Sequence, residues 1–222
     1  LVLSMFATSA EAAGKNKNKK KAVKTTKSNI RTIEFIHYID NKSDVEKIQT
    51  VSINSDRSKL CYSFNPANRI SKLPFIYYIN PNNNIGLSES FVIDVITEAA
   101  EEWDDHTSVE IFNDSYIINT SITEVMSDNK NTIFFKDRGN NGVLASTSAS
   151  GIFNYSTGTW DSFEFDIYLN SYYLGDASVN SNVYDLQGTA THELGHGVGL
   201  DDIYNETCRN VTMYNWGYLG DI

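Results

Sequence analysis

Cysteine and histidine are scarce in this chain, and internal repeats and long apolar runs are missing. No apolar stretch approaches the ~20 residues that a membrane-crossing helix needs, so no span is expected. Basic residues are also few once the first 27 positions are set aside. Those positions hold seven lysines and one acid, Glu11, which leaves 11 basic and 27 acidic groups in the rest, a net of −16 against −10 for the whole chain. Nucleic-acid binding needs a basic surface, so a nucleic-acid partner is excluded. An acidic body suits a protein that works in salt or with divalent cations. The two cysteines, Cys61 and Cys208, are an even count, which in an exported chain suggests one disulfide; two buried free thiols are the alternative. Closing a loop of roughly 150 residues contributes about 4–5 kcal/mol in the loop-entropy model.

What is present is enough for one domain with a sizeable core: 222 residues, 41% of them apolar. Leu1 to Ala7 resembles the tail of an apolar leader, and Ala10-Glu11-Ala12 has the small-x-small form of a cleavage site, so residues 1–12 are read as a truncated signal peptide. Residues 13–30 read as a lysine-rich disordered linker that could touch an anionic cell surface. Short alternating runs at 31–39 and 47–54 make 31–70 either an N-terminal extension or a pro-segment, and 71–222 is the principal domain. A secreted or extracellular location follows from the leader. Sequons at Asn41, Asn113, Asn119, Asn154, Asn205 and Asn210 are compatible with it.

Within the principal domain, Phe75–Ile79 reads as a strand ended by an asparagine-rich turn. Ser88 is a candidate cap for a helix whose apolar stripe is Phe91, Val92, Val95, Ile96, Ala99 and Trp103. Val109–Phe112, Thr132–Phe135, Val143–Thr147 and Phe163–Leu169 read as strands, and a second helix covers about Leu186 to Val198. The layout predicts an α/β fold with a mostly parallel sheet and one antiparallel edge.

The chemistry is concentrated in Thr191-His-Glu-Leu-Gly-His-Gly-Val-Gly-Leu-Asp-Asp202. His192 and His196 are four positions apart, which on a helix stacks both rings on one face, close enough to bind one ion. Leu186, Ala190, Leu194 and Val198 lie roughly 200° around the helix and face the core. Glu193 is placed to act as general base on water activated by a zinc ion, first taking its proton and then passing it to a leaving amine. The third ligand comes from elsewhere, because no histidine follows His196. Gly199 supplies a residue able to take positive φ and end the helix, after which Asp202 turns toward the ion, with Asp201 as its competitor. His37 and His106 are read as ordinary histidines.

In this motif the sequence resembles the metzincin metallopeptidases, close to the matrixin group, whose pattern is H-E-x-x-H-x-x-G-x-x-H/D followed by a methionine turn. His192, Glu193, His196, Gly199 and Asp202 fill it in order, and Met213, seventeen residues after His196, matches the methionine turn. The resemblance covers about residues 60–222. It implies a twisted mixed sheet with a long N-terminal helix and an active-site helix, and a substrate-pocket role for Tyr214. It also implies a C-terminal helix that this chain, which stops nine residues after Met213, would lack. Asp202 departs from the commoner histidine and lowers the positive charge of the site. Cys61 lacks the surroundings of an inhibitory pro-segment cysteine.

Asp161, Glu164 and Asp166 suggest either a structural Ca2+ site or a solvated acidic loop. Val143–Thr147 is placed as a sheet edge that pairs with an extended substrate. The expected function is that of a monomeric secreted zinc endopeptidase acting on protein or peptide substrates. Its rival is an inactive zinc-site surface protein on the same fold.

Overall fold

A computed structural model describes residues 30–39, 61–64, 68–70, 73–157 and 159–219. The expectations for residues 1–12, for the lysine-rich stretch up to residue 29 and for the 47–54 strand fall outside these residues. The alternation along the N-terminal run produces β1 (Ile30–Ile39), in which Phe35 and His37 point inward and are buried while Thr32 and Glu34 are exposed. The strands that follow are β2 (Asn68–Ile70), β3 (Tyr77–Asn80), β4 (Ile117–Ile118), β5 (Asn131–Lys136), β6 (Val143–Asn154) and β7 (Thr159–Asn170). After them come the short pair β8 (Leu174–Gly175) and β9 (Tyr184–Asp185), and finally β10 (Trp216–Gly217).

One mixed sheet carries eight of them in the order β10-β1-β6-β7-β5-β3-β4, with β2 alongside the first residues of β7. Only β6 runs against its neighbours; the remaining pairings are parallel. The reason is local: β6 and β7 are joined by a short hairpin connection, which can only make an antiparallel pair. The mostly parallel expectation therefore holds, but the antiparallel strand is not at the edge. Val143–Thr147 is covered on its outer side by β1, in register from Ile30 opposite Ile152 to His37 opposite Ala145. Leu144, Ala145, Ser146 and Thr147 are consecutively buried, as befits an interior strand.

The first helix, α1 (Glu89–Asp104), starts at Ser88, whose side chain accepts from the Phe91 amide at 3.2 Å. Val92, Val95, Ile96 and Ala99 are buried along its apolar stripe. Val109–Phe112 does not become a strand. The Asp104 carboxylate at the end of α1 accepts from the Ile111 and Phe112 amides and leaves a single bridge between Phe112 and Phe75. The second helix, α2 (Leu186–Gly197), packs between α1 and the sheet, with its residues from Thr189 to Gly197 all buried. Trp103 of α1 donates from its indole to the Thr191 carbonyl at 2.9 Å. Phe165 of β7 lies so close to Gly197 that an added Cβ would sit 3.0 Å from its ring. The core formed by Tyr77, Ile79, Val92, Ile96, Phe165, Ile167, Leu186 and Leu194 thus fixes α2 rigidly above β6 and β7. Among the described residues no helix is long and apolar enough to cross a membrane.

Candidate metal centre

The last turn of α2 presents His192 and His196 on one face, with their Nε2 atoms 3.1 Å apart. Each ring is fixed from behind. His192 Nδ1–H donates to the Thr212 carbonyl at 2.7 Å, and His196 Nδ1–H donates to the Leu200 carbonyl at 3.0 Å. These bonds set the tautomer, so both Nε2 atoms turn bare lone pairs toward a common point.

The chain reverses immediately after the helix. Gly199 takes φ +88°, and the Gly199 and Leu200 amides donate to the His196 and Gly195 carbonyls at 2.9 Å, closing the helix end. The reversal is then pinned from two sides: the Asp201 amide donates to the Ser63 carbonyl at 2.9 Å, and the Ile203 amide to the Met213 carbonyl at 2.8 Å. The result is that Asp202 Oδ1 lies 3.3 Å from His192 Nε2 and 3.4 Å from His196 Nε2. Asp201 does not compete for this position; its Oδ1 accepts from the Asp202 amide at 3.1 Å. Tyr204 donates its hydroxyl to Asp202 Oδ2 at 3.3 Å. Asn215, with its amide nitrogen turned toward the carboxylate, donates to both Asp202 oxygens at 3.2 Å.

The triangle itself tests the metal reading. Donor atoms held about 2.0–2.1 Å from a tetrahedral zinc sit about 3.3–3.4 Å from one another, and the three edges here are 3.1, 3.3 and 3.4 Å. Two imidazole lone pairs and a carboxylate facing one point repel each other unless a cation lies among them. Burial opposes charge on His196, yet Asp202 beside it raises its pKa. Burial likewise works against the Asp202 anion, yet the two histidines beside it hold its carboxyl well below the usual range. The donor set therefore draws positive charge, and His192, His196 and Asp202 form a group able to hold a metal ion.

Glu193 is fully buried beside this triangle. Its Oε2 accepts from the Thr147 hydroxyl at 2.5 Å, which fixes the carboxylate to β6. Its Oε1 has no hydrogen-bond partner and faces His37 Nδ1 at 3.7 Å. Burial pushes the Glu193 pKa up, against the pull of the two histidines and Thr147.

His37 corrects its reading as an ordinary histidine. It is 5% exposed, its ring stacks on His192 at 4.0 Å between centroids, and neither nitrogen has a hydrogen-bond partner. Burial lowers its pKa first, with His192 adding to the effect, so the ring is neutral. The signal that could have found it is its place on the inward face of an alternating strand, two residues after the buried Phe35. His106, by contrast, is exposed and bonded to its own helix.

Met213 is buried beneath the helix turn, against Gly195, where an added Cβ would collide with its sulfur and sit 2.8 Å from Trp103. Tyr214 is buried too, its ring stacked on Tyr218, so it contributes packing under the turn. Cys61 and Cys208 form the expected disulfide, which ties residues 61–64 to the loop beyond α2.

Of the carboxylates read as a calcium site or a solvated acidic loop, Glu164 and Asp166 are buried, so they are not part of a solvated loop. Glu164 accepts from the Asn129 amide, and Asp166 accepts from the Met126 amide at 2.9 Å and from the Thr132 hydroxyl. Asp161 joins neither, and among the described residues these carboxylates form no ligand group. A scan against family models and a search of curated proteins both find no match to this chain.

Proposed function

We propose that this protein is a secreted, zinc-dependent endopeptidase of the metzincin type. One observation carries the reading. Two imidazoles and a carboxylate converge with edges of 3.1–3.4 Å, and a buried glutamate beside them has one oxygen tied down and the other free. Zinc held there supplies Lewis-acid activation of water and of a peptide carbonyl.

The chain's own groups divide the rest of the work. Thr147 holds Glu193 Oε2, which leaves Oε1 to take a proton from the attacking water. As the peptide C–N bond breaks, Glu193 returns that proton to the departing amine, and the hydroxyl remains on the new carboxyl group. Asn215 and Tyr204 hold the Asp202 carboxylate, and the Thr212 and Leu200 carbonyls hold the two rings. The disulfide supports an oxidising, extracellular setting.

The test is metal analysis joined to catalysis. One zinc per chain is expected, with casein cleavage lost on chelation and restored by zinc. Glu193→Gln should keep the zinc and lower cleavage about 10²–10⁴-fold. Unimpaired cleavage by that variant would remove Glu193 from its role.

A further inference from the structure

The Cys61–Cys208 bond joins the two stretches of chain on which the supports of all three ligands depend. On one side lie residues 61–64. The Ser63 carbonyl accepts from the Asp201 amide at 2.9 Å, and Phe64 forms an antiparallel bridge with Leu200. Leu200 and Asp201 are the two residues before Asp202, and the Leu200 carbonyl is the acceptor that fixes the His196 ring. On the other side Cys208 ends a single helical turn, Glu206–Cys208, and its carbonyl accepts from the Val211 amide at 3.1 Å. The next residue, Thr212, supplies the carbonyl that fixes the His192 ring.

Burial does not hold the first stretch in place. Tyr62 and Phe64 are 57% and 58% exposed, and their rings meet edge to face with each other. Among the described residues, one backbone hydrogen bond, one bridge and the disulfide fasten residues 61–64 to the fold. A single backbone hydrogen bond exchanged with water contributes little, so the covalent bond is the main fastening. The far side of the Asp202 turn is held independently. There the Ile203 amide donates to the Met213 carbonyl at 2.8 Å, and the Asn215 amide to the Ile203 carbonyl at 3.1 Å. Opening the disulfide therefore frees one side of the turn and leaves the other, which loosens the site without dismantling the fold.

Resting on the zinc reading above, we propose that the Cys61–Cys208 disulfide is a redox-sensitive clamp on the metal site. Oxidised, it holds the Asp202 turn against the two rings; reduced, it releases the turn and zinc affinity falls. The two halves of the bond differ in access, Cys61 being exposed and Cys208 buried. A thiolate of an external dithiol attacks the Cys61 sulfur, the S–S bond breaks, and Cys208 leaves as a thiolate that takes up a proton. The second thiol of the reductant then displaces Cys61. The dithiol ends as a cyclic disulfide, and two electrons and two protons have passed to the chain as two thiols. The protein thus keeps its zinc in oxidising surroundings and gives it up where dithiols are maintained. The coupling is mutual: bound zinc makes the bond harder to reduce by the factor by which the bond tightens zinc.

The experiment uses the full chain and reads zinc affinity by competition with a chromophoric chelator. Cys61→Ser combined with Cys208→Ser opens the clamp without adding a thiol ligand. It should bind zinc about 10–100-fold more weakly than the disulfide-bonded parent, the loss expected when a ligand's support is withdrawn. With zinc saturating, amide hydrogen exchange in this variant should be at least tenfold faster at Asp201 and unchanged in β7. A second measurement needs no substitution. The zinc-loaded parent is treated with a water-soluble phosphine, which takes oxygen from water as it delivers two electrons and is used because a dithiol would itself chelate the metal. Zinc should then pass to the chelator at least tenfold faster than from untreated protein. A variant or a reduced chain that holds zinc as tightly as the parent overturns the clamp and leaves the metal site standing. Zinc loss accompanied by faster exchange throughout β7 overturns it too, because the bond then supports the whole fold and not the turn. A parent that takes up no zinc at all overturns the reading beneath it instead.

Discussion

Two sets of buried carboxylates sit in this fold, one on the turn after and within α2, the other on β7, and they are put to opposite uses. Glu164 and Asp166 on β7 accept from amides and a hydroxyl of residues 126–132, so each of them anchors a loop. Glu193 keeps one oxygen unpaired in a site fully shielded from water, and Asp202 shares its oxygen with two imidazoles that carry no proton toward it. Acidic residues of the same type, buried to the same degree, thus separate by what satisfies them. Saturated lone pairs mark structure, and lone pairs converging on one point or left free mark chemistry.

The sharpest way to break this comparison is to remove one member of the triangle. His196→Ala should abolish stoichiometric zinc binding, measured by isothermal titration at neutral pH, because two remaining ligands do not define a tetrahedral site. Asn215→Ala, which only withdraws hydrogen bonds from Asp202, should weaken zinc about 10–100-fold. If Asp166→Ala weakened zinc as much as either, the division between the two sets would be wrong.

Asp166→Ala should instead act on stability. It strands the Met126 amide and the Thr132 hydroxyl in a buried region, at about 1–3 kcal/mol for each. For a chain of this size that is a fall of roughly 5–15 °C in melting temperature, with zinc stoichiometry unchanged. A variant that melts like the parent would show the loop anchored by other contacts.

Much of the α2 set could be read in the sequence because its geometry is local. A four-residue spacing on a helix leaves two rings no choice but to share a face, and Gly199 advertised the reversal that its φ of +88° makes. The role of the β7 carboxylates was not legible for the converse reason. A count of carboxylates says nothing about which amides reach them, and the amides of Met126 and Asn129 come from a loop some 35–40 positions away. The position of β1 was the hardest to see. Thr32 meets Ser150 across 118 positions, and no local pattern encodes which edge a strand will choose. The alternation did show Phe35 and His37 on one face; what it could not show was that this face covers the two metal-binding rings.

The smallest effect expected is also the one that separates the carboxylates by sign. Burial raises the Asp166 pKa to about 6, above its ordinary 3.8, with the Thr132 and Met126 hydrogen bonds only partly opposing it. Between those values the folded chain holds a proton that the unfolded chain has released, so this group's contribution to stability declines as pH climbs from about 4 to 6 and is flat above. Asp202 works the other way: its pKa is depressed in the fold, so its contribution is present above the ordinary carboxylate range and is lost only as pH drops through it. Asp166→Asn deletes the first titration and leaves the second. The melting temperature of the parent minus that of Asp166→Asn should therefore fall, at about 2–4 °C for each kcal/mol of this linkage, from pH 4 to pH 6 and then stay level. A difference that grew with pH over that interval would mean that the Asp166 carboxylate is stabilised as an anion, and that the β7 pair, like the α2 set, gathers positive charge.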